Sequence, residues 1–533
     1  MLVLNMALRN GFTRSYSLAK SGVDFWHDLK EIPKENSPYM KNCYFRDGIV
    51  QRLGTLKLAS SYVEFNKAVT ALTRFYYGVN SKQLLVASGT VIARYNGGVW
   101  TDIITGLTDS SPVTFQAWGP KDAVYIANGT NQPRKWDGTT ETILAIFPSN
   151  VRQFLPLLDR MLWIDSQDPS SIKYTESYSD TAVESVQNSL KVPGPGRIEG
   201  LAYHGLKTDT GFATRCVIAK ADSLWLMTAN DLTPATFDAR LDIISPIIGC
   251  VAWNTIQFTP IGTIFLGSDK QVYLATVEGN LISIGSNIFS NRTEVNGLED
   301  MSTSGGSLPF AVYHDGFYKL YIPAAGGTYN TVGFWLDVTR FHQHPQSGKY
   351  GPWFGPMIGG SFSCGVVQNG SGDDGAMIVG EGNLANSAYV YQTNTGNADA
   401  GLSINMIYQT NYDDAGRKDY YKTYHQFDAE FTSVDGTLTT NFYDSPGVFS
   451  DGSTTSLVTS AVYWDDLYWD EFYWSGAGEP ARHQFIPNEM IIARNLSISM
   501  SFSSTSEQFK IYSINASGQI RSNHPYVGSI ARE

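Results

Sequence analysis

Residues 84–100 read LLVASGTVIARYNGGVW, and residues 123–139 repeat the same theme as AVYIANGTNQPRKWDGT. Each stretch contains a short apolar run, a turn rich in glycine, and a second run next to a tryptophan. Runs of this length that flank such turns predict β-hairpins. Two hairpins in tandem make one four-stranded blade, so the repeat predicts a β-propeller.

Weaker copies of this theme continue along the chain. They recur roughly every 35 to 50 residues, which is the period of four-stranded blades. The copies are Phe154–Tyr174, Thr214–Met227, Thr255–Ile284, Phe310–Asp337 and Gly375–Tyr391. The repeat predicts about seven blades over residues 67–398, preceded by an N-terminal extension, residues 1–66, that docks onto the propeller. A parallel β-helix is the alternative, but it requires a shorter and stricter repeat.

The sequence changes character after Gly401. Tyr424–Thr432 and Leu496–Phe502 alternate polar and apolar residues, which is typical of strands with one wet and one dry face. The small-residue stretch Thr393–Gly401 marks the boundary. We therefore expect a separate β-sandwich-like domain over residues 399–533 and an all-β protein as a whole.

The composition agrees with an all-β fold and limits the functions. Charged residues make up only 17% of the chain, aromatic residues make up 13%, and glycine occurs 50 times, a mixture that favours strands and turns. The net charge of −12 argues against a protein that holds nucleic acid by neutralising phosphates. We expect such an acidic surface to repel nucleic acid, and we expect no sequence-specific binding of DNA.

Cysteine usage and hydropathy bear on location. Cys43, Cys216, Cys250 and Cys364 lie far apart, without the close pairs of zinc or redox sites, and are predicted to be free, buried thiols in a reducing cytoplasm. The longest apolar stretch, Ile243–Trp253, is too short to cross a bilayer. We expect no membrane-spanning segment and no secretory signal.

No stretch carries the nucleophile elbow, the zinc-protease motif or the phosphate-binding loop of common enzymes. His342 and His344 have a spacing that suits a metal, but no third ligand lies nearby, which favours a surface loop. Residues 369–375, NGSGDDG, depart from both the calcium loop and the Asp-box turn of sialidase propellers, which favours a solvated turn. The sequence predicts a protein that is not an enzyme and has no metal site or cofactor.

Residues 463–474 read YWDDLYWDEFYW, in which Tyr-Trp recurs every five residues. This period matches neither a helix nor a strand, so one regular element would expose some of the rings. Tyrosine and tryptophan are the side chains that anchor interfaces. The candidate subunit interface therefore comprises Tyr463, Trp464, Tyr468, Trp469, Tyr473 and Trp474. Packing within the domain and a platform for stacking sugars are the alternatives.

Residues 37–55 read SPYMKNCYFRDGIVQRLGT. This passage resembles the opening of the tail stabilisation, or nozzle, proteins of short-tailed bacteriophages, in which an Asn, an Asp-Gly turn and an Arg-x-Gly ending precede the first blade. The residues that match this pattern are Asn42, Gly48, Arg52 and Gly54, whereas Leu53 stands where the family often has proline. The Trp-Asp units at Trp464 and Trp469 and a β-rich domain after a propeller agree with the resemblance.

The resemblance implies a non-enzymatic ring, commonly a homo-hexamer, between the portal-adaptor proteins and the distal tail proteins of the virion. Such a subunit would assemble in the bacterial host cytoplasm and form part of the DNA-ejection conduit. One alternative is a glycan-binding or glycan-cleaving propeller of the virion, with stacking aromatic rings beside paired carboxylates in one pocket. The other is a cellular propeller scaffold that binds proteins on its disc face.

Overall fold

Four-stranded antiparallel sheets dominate the chain. The computed structural model describes residues 11–58, 67–109, 111–183, 189–208, 211–290, 292, 296–302, 308–341, 351–370, 373–383, 388–432, 436–445, 448–457, 480–485 and 491–521. Helical structure within these ranges is limited to Phe341 and to the short 3-10 turns η1 (Gly119–Lys121), η2 (Trp253–Thr255) and η3 (Ser286–Ile288). The predicted all-β class is confirmed.

Short strands precede the first blade in the described part of the N-terminal segment. They are β1 (Gly11–Ser15), β2 (Met40–Lys41), β3 (Cys43–Phe45), β4 (Ile49–Gln51) and β5 (Thr55–Lys57).

Blades 1 to 5 follow, and each pairs its strands in chain order. Blade 1 contains β6 (Val69–Tyr77), β7 (Ser81–Ser88), β8 (Val91–Asn96) and β9 (Val99–Ile104). Blade 2 contains β10 (Thr114–Trp118), β11 (Ala123–Ala127), β12 (Arg134–Trp136) and β13 (Glu141–Ile143). Blade 3 contains β14 (Val151–Leu157), β15 (Arg160–Asp165), β16 (Ser171–Tyr174) and β17 (Ser189–Lys191). Blade 4 contains β18 (Ile198–Thr208), β19 (Gly211–Lys220), β20 (Leu224–Asp231) and β21 (Asp238–Ser245). Blade 5 contains β22 (Gln257–Thr259), β23 (Gly262–Leu266), β24 (Val272–Thr276) and β25 (Leu281–Ser283).

The last two blades complete the disc. Blade 6 contains β26 (Phe310–His314), β27 (Phe317–Pro323), β28 (Asn330–Asp337) and β29 (Trp353–Met357). Blade 7 contains β30 (Phe362–Val367), β31 (Met377–Glu381) and β32 (Val390–Thr393), and its fourth strand is β5 from the N-terminal segment.

The described blades close into a ring of seven through their inner strands. Each inner strand contacts the next in the order β6, β10, β14, β18, β22, β26 and β30, and β30 contacts β6 again. At the outer edge of blade 7, β5 pairs with β32 so that Thr55 lies opposite Thr393. A strand from the start of the chain therefore completes the last blade and covers an edge that would otherwise be exposed. The predicted number of about seven blades is confirmed.

The fold-deciding stretch shows why the blades stack. Along β7, Leu84 and Val86 pack with Cys364 of blade 7, whereas Leu85 and Ala87 pack against blade 2. Successive side chains of a strand point to opposite faces, so a run of apolar residues fills both interfaces of one blade. The apolar run therefore reflects burial on both faces of the sheet, with the two neighbouring blades as covers.

The remaining strands form two layers that pack face to face, and one layer is hydrogen-bonded to the sheet of blade 7. They are β33 (Ala398–Asp399), β34 (Leu402–Gln409), β35 (Lys422–Thr432), β36 (Gly436–Ser445), β37 (Val448–Leu457), β38 (Pro480–Phe485), β39 (Ile491–Ala493), β40 (Ser497–Ser504) and β41 (Lys510–Ile520). One sheet has β2, β34, β40, β36 and β37 side by side, and the other is built around β41 and β35. Phe427 and Phe442, from opposite sheets, have ring centroids 4.3 Å apart. The C-terminal domain is the expected β-sandwich.

The described N-terminal residues contact both domains. On the propeller side, β5 joins blade 7, and the backbone N–H of Val23 donates to the carbonyl oxygen of Trp353 in blade 6 at 2.7 Å. β1 and β4 pair with β41, and β2 pairs with β34, so these strands belong to the sandwich. The physical reason is that β41 and β34 would otherwise each expose an unpaired edge, which these strands cover.

Candidate functional site

Arg52 lies at the meeting point of the propeller and the sandwich, in the loop between β4 and β5. The side chain is only 6% exposed. The guanidinium binds both carboxylate oxygens of Asp399, with Nη1 at 2.9 Å from Oδ1 and Nη2 bonded to Oδ2. Nη1 also donates to the carbonyl oxygen of Leu53 at 3.0 Å, and Nη2 donates to that of Ile358 at 2.5 Å. The buried charges are therefore paired in the bidentate geometry that arginine and carboxylate favour.

Asn42 completes this cluster. Its Oδ1 accepts hydrogen bonds from Arg52 Nε at 3.0 Å and from the Ile358 backbone N–H at 2.7 Å. Its Nδ2 donates to the carbonyl oxygen of Asn405 on β34 at 2.9 Å. The backbone at Asn42 has a φ of 55°, a left-handed conformation that asparagine tolerates better than most residues. One side chain thus connects the N-terminal segment, the loop after β29 and the sandwich.

Two glycines allow close backbone approach in the same region. A Cβ atom at Gly54 would lie 2.1 Å from the carbonyl oxygen of Ala398, and one at Gly48 would lie 2.6 Å from that of Ile511. Gly48 also has a φ of 137°, which other residues rarely adopt. We call the set Asn42, Arg52, Gly54 and Asp399 the joint. Three of the four residues that carry the family resemblance lie in it, whereas Gly48 lies in the turn between β3 and β4, against β41 of the sandwich.

Sequence reasoning missed Asp399, because this residue lies in the small-residue stretch that marked the domain boundary. Its partner Arg52 is 347 residues away along the chain. The sequence did contain a signal. Asp399 is the one acidic residue in a stretch of small and polar residues, and the N-terminal motif contains an arginine, Arg52, to which no partner had been assigned. Only the fold brings the two side chains together.

A second buried carboxylate closes the ring between blades 7 and 1. Asp373, within the segment expected to be a solvated turn, is bound by Arg74 at 2.7 Å, by Lys82 at 2.7 Å and by the Tyr76 hydroxyl at 2.5 Å. Burial alone would raise the pKa of this carboxyl group, but these hydrogen bonds outweigh burial and lower the pKa well below its usual range. The expectation of a solvated turn is wrong for Asp373, because three polar side chains of blade 1 converge on it.

Blades 2 and 3 are fastened by the same chemistry. Asp180, in the loop after β16, accepts hydrogen bonds from Tyr125 and Lys135 of blade 2, both at 2.7 Å. Burial alone would raise the pKa of Asp180, but the hydrogen bonds from Lys135 and Tyr125 outweigh this effect and lower the pKa. Asp373 and Asp180 therefore both serve contacts between neighbouring blades.

Lys319 of β27 is buried between blades 6 and 7. Its Nζ lies 3.2 Å from Nδ1 of His314, whose Nε2 lies 2.7 Å from the carbonyl oxygen of Gly375 in blade 7. Burial lowers the pKa of Lys319 to about 7. The Trp335 ring, 4.1 Å from Nζ, offsets part of this effect because its face attracts the ammonium group.

The inner strands enclose a cavity on the axis of the disc, with a volume of about 340 Å³. We call this cavity the central channel. Residues from all seven blades line it, and none of the described lining residues is charged. The polar side chains are Thr70, Gln116, Gln153, Asn254 and Gln257. The aromatic ones are Phe115, Tyr203, Trp253, Phe258 and Phe310.

An adjoining pocket of about 280 Å³ shares Gln153 and Trp253 with the central channel and holds charged groups. Glu199 accepts hydrogen bonds from Arg197 Nε at 2.7 Å and from Arg152 Nη2 at 3.4 Å. These charges pair with one another beside the channel. The channel itself stays neutral.

The remaining predicted sites are the candidate interface, the histidine pair and the cysteines. The candidate interface, residues 463–474, and the pair His342 and His344 lie outside the described residues. All four cysteines are free and buried, as predicted. No cluster of three metal-ligating side chains occurs in the part of the chain that the structure describes. Among those same residues, no helix is long and apolar enough to span a membrane.

Comparison with known proteins finds no matching family model and no matching curated protein. Among solved structures, BBS1N in complex with ARL6DN is similar at 10% identity and a TM-score of 0.38, covering 66% of this chain and 99% of that one. YCF48 bound to D1 peptide is similar at 11% identity and a TM-score of 0.35, covering 64% of this chain and 99% of that one. Similarities this distant do not bear on function.

Proposed function

We propose that the protein is a non-enzymatic structural subunit of a short-tailed phage tail. Copies of the chain form a ring, expected to be a homo-hexamer, that makes part of the DNA-ejection conduit. The ring lies in the virion between the portal-adaptor and the distal tail proteins, after assembly in the bacterial host cytoplasm. The observation that carries the proposal is the joint, since three of the four residues of the family resemblance, Asn42, Arg52 and Gly54, lie in the contact between the two domains.

A rigid connection suits a load-bearing part. Domains in one chain usually move relative to each other unless their interface is large and apolar. Here β5 of blade 7 pairs with β33, and β33 pairs with β34 of the sandwich, so one hydrogen-bonded sheet runs through both domains. One buried apolar cluster also includes side chains of blades 5 and 6 and of the sandwich. We therefore expect the described parts of the chain to behave as one body, which would suit a structural role.

The charge of the chain supports passage of DNA. Identical subunits that close a ring through heterologous contacts add their charges together, and each chain contributes −12. A strongly acidic ring gains no affinity for DNA from counterion release, because that gain requires lysine and arginine on the phosphates. DNA would pass such a conduit without being held.

Electron microscopy of the purified protein and of intact particles tests the proposal. We expect six-fold rings, either alone or on the portal-adaptor assembly, and an antibody against the chain that labels the tail. Absence of the chain from purified particles would refute the proposal. A protein that stays monomeric when mixed with tails lacking it would refute ring formation and favour a cellular scaffold.

A further inference from the structure

Two aromatic rings stand in the wall of the central channel with large exposed fractions. Phe258 is 47% exposed and Tyr203 is 38% exposed, although side chains of this size are mostly buried in folded proteins. Both rings line the same cavity. Its volume of about 340 Å³ falls within the range that small ligands occupy.

Contacts with neighbouring strands hold both rings in place. The Tyr203 hydroxyl donates to the carbonyl oxygen of Pro156 in blade 3 at 2.6 Å. The Phe258 ring packs on Gly205, where a Cβ atom would lie only 2.6 Å away, and meets the His204 ring edge-on at a centroid distance of 6.5 Å. A binding surface that is already ordered loses less entropy when a ligand arrives. Each ring is therefore a fixed apolar surface in the wall of the channel.

Side-chain amides supply the polar part of the wall. Gln116, Gln257 and Asn254 line the cavity. An amide carries donors and acceptors side by side, which matches a hydroxyl group because a hydroxyl also does both. Flat apolar rings next to paired donors and acceptors suit a ligand with an apolar face and many hydroxyl groups.

The absence of charge from the described lining narrows the ligand further. A carboxylate, phosphate or ammonium group in the channel would lose water without gaining a partner of opposite sign, which is strongly unfavourable. A free acid or a nucleotide is therefore disfavoured. We propose that the central channel binds the end of an uncharged oligosaccharide, with pyranose faces on Phe258 and Tyr203 and hydroxyl groups on the amides. This binding site goes beyond the structural role proposed above.

The test begins with the full-length protein on an array of neutral oligosaccharides built from glucose, galactose and N-acetylglucosamine. Sialylated glycans and apolar peptides are included for comparison. We expect retention of neutral glycans, and titration calorimetry with the best of them then gives the affinity. Phe258→Ala and Tyr203→Ala should each weaken binding about tenfold, the effect of losing one well-placed aromatic contact.

The controls separate binding from folding. Ile143→Ala removes an apolar side chain of similar exposure from the outer strand of blade 2 and should leave the affinity unchanged. Tyr203→Phe keeps the ring and should retain most of the affinity, and Gln257→Ala removes an amide without opening the apolar core. Retention of charged glycans or peptides alone would overturn the proposal. So would neutral-glycan binding that Phe258→Ala and Gln257→Ala leave intact.

Discussion

The joint and the central channel use opposite chemistry. At the joint, Arg52 and Asp399 are buried as charges, and the guanidinium also donates hydrogen bonds to Asn42 and to the backbone carbonyl oxygens of Leu53 and Ile358. In the channel, seven blades converge on an axis that the described residues leave without a charge. Buried charges elsewhere in the propeller, such as Asp373 and Asp180, again join one blade to the next.

This difference indicates what each region requires. A buried ion pair adds little net stability compared with apolar packing, but it fails strongly if its geometry is disturbed, so it favours one arrangement of the parts it joins. A neutral wall accepts several positions of a neutral ligand and rejects charged ones. The chain thus uses charge where position must be unique and removes it where the space is open.

Loss of one charge at the joint should give the largest effect. Arg52→Ala leaves Asp399 buried without its partner, and we expect a loss of about 3 to 5 kcal/mol in the free energy of unfolding. Urea denaturation followed by tryptophan fluorescence measures it. The matched control is Arg46→Ala, which breaks the exposed ion pair with Asp315 at 3.2 Å and should cost about 0 to 1 kcal/mol.

The double variant Arg52→Met with Asp399→Leu sharpens this test. Replacing both charges by apolar side chains removes the unpaired charge, so most of the lost stability should return. Equal losses for Arg52→Ala and Arg46→Ala would mean that the joint does not depend on its buried ion pair.

The converse change places a charge in the channel. Gln153 is buried, and its amide exchanges two hydrogen bonds of 2.8 Å with the backbone of Leu201. In Gln153→Glu, a carboxylate oxygen takes the place of the side-chain NH₂ group and faces the carbonyl oxygen of Leu201. We expect the free energy of unfolding to fall by about 2 to 3 kcal/mol at pH 7. The loss should shrink below about pH 5 as the carboxyl group is protonated.

The control for this change is Gln116→Glu, at a partly exposed position in the same wall, which should stay within about 0.5 kcal/mol of the parent protein. Thermal or urea unfolding at pH 7 and pH 4.5 compares the two. If Gln153→Glu unfolded like the parent protein at both pH values, a charge in the channel wall would not be unfavourable, and the account would be contradicted.

Ring closure between blades 7 and 1 should show an intermediate effect. Asp373→Asn weakens the charged hydrogen bonds from Arg74, Lys82 and Tyr76. We expect the free energy of unfolding, measured by urea denaturation, to fall by about 2 kcal/mol near pH 7. Since the folded-state pKa of Asp373 is lowered, its contribution is present above the ordinary range of a carboxyl group and is lost as the pH falls through the folded-state value. The difference between the parent protein and the variant should therefore narrow in strongly acidic solution. Asp374→Asn, its exposed neighbour, is the control, and equal losses for both would contradict the assignment.

The smallest effect should be the contribution of Lys319 to the pH dependence of stability. Burial lowers its pKa to about 7, whereas an unfolded lysine stays protonated to about pH 10.4. The unfolded chain therefore binds more protons between these values, and stability rises with pH in this window. Between pH 7 and pH 8 the parent protein should gain about 1 kcal/mol over Lys319→Met. The exposed control Lys20→Met should follow the parent protein, and an equal pH slope for Lys319→Met would refute the assignment.

Local patterns predicted the blades, because each hairpin forms between neighbouring runs such as residues 84–100. The ring closure by β5 was not predictable in this way, since Thr55 and Thr393 meet only after all seven blades have formed. Asp399 was missed for the same reason. A motif suggested Asn42 and Arg52 as important positions, but their role depends on partners more than 300 residues away.

Calorimetry of the intact protein tests most directly whether the two domains act as one body. If the sheet through β5, β33 and β34 and the joint couple the domains, propeller and sandwich should unfold together in a single heat-absorption peak. Arg52→Ala should move that peak to lower temperature or split it. Two separate peaks in the parent protein, with the sandwich unfolding alone, would contradict a rigid subunit.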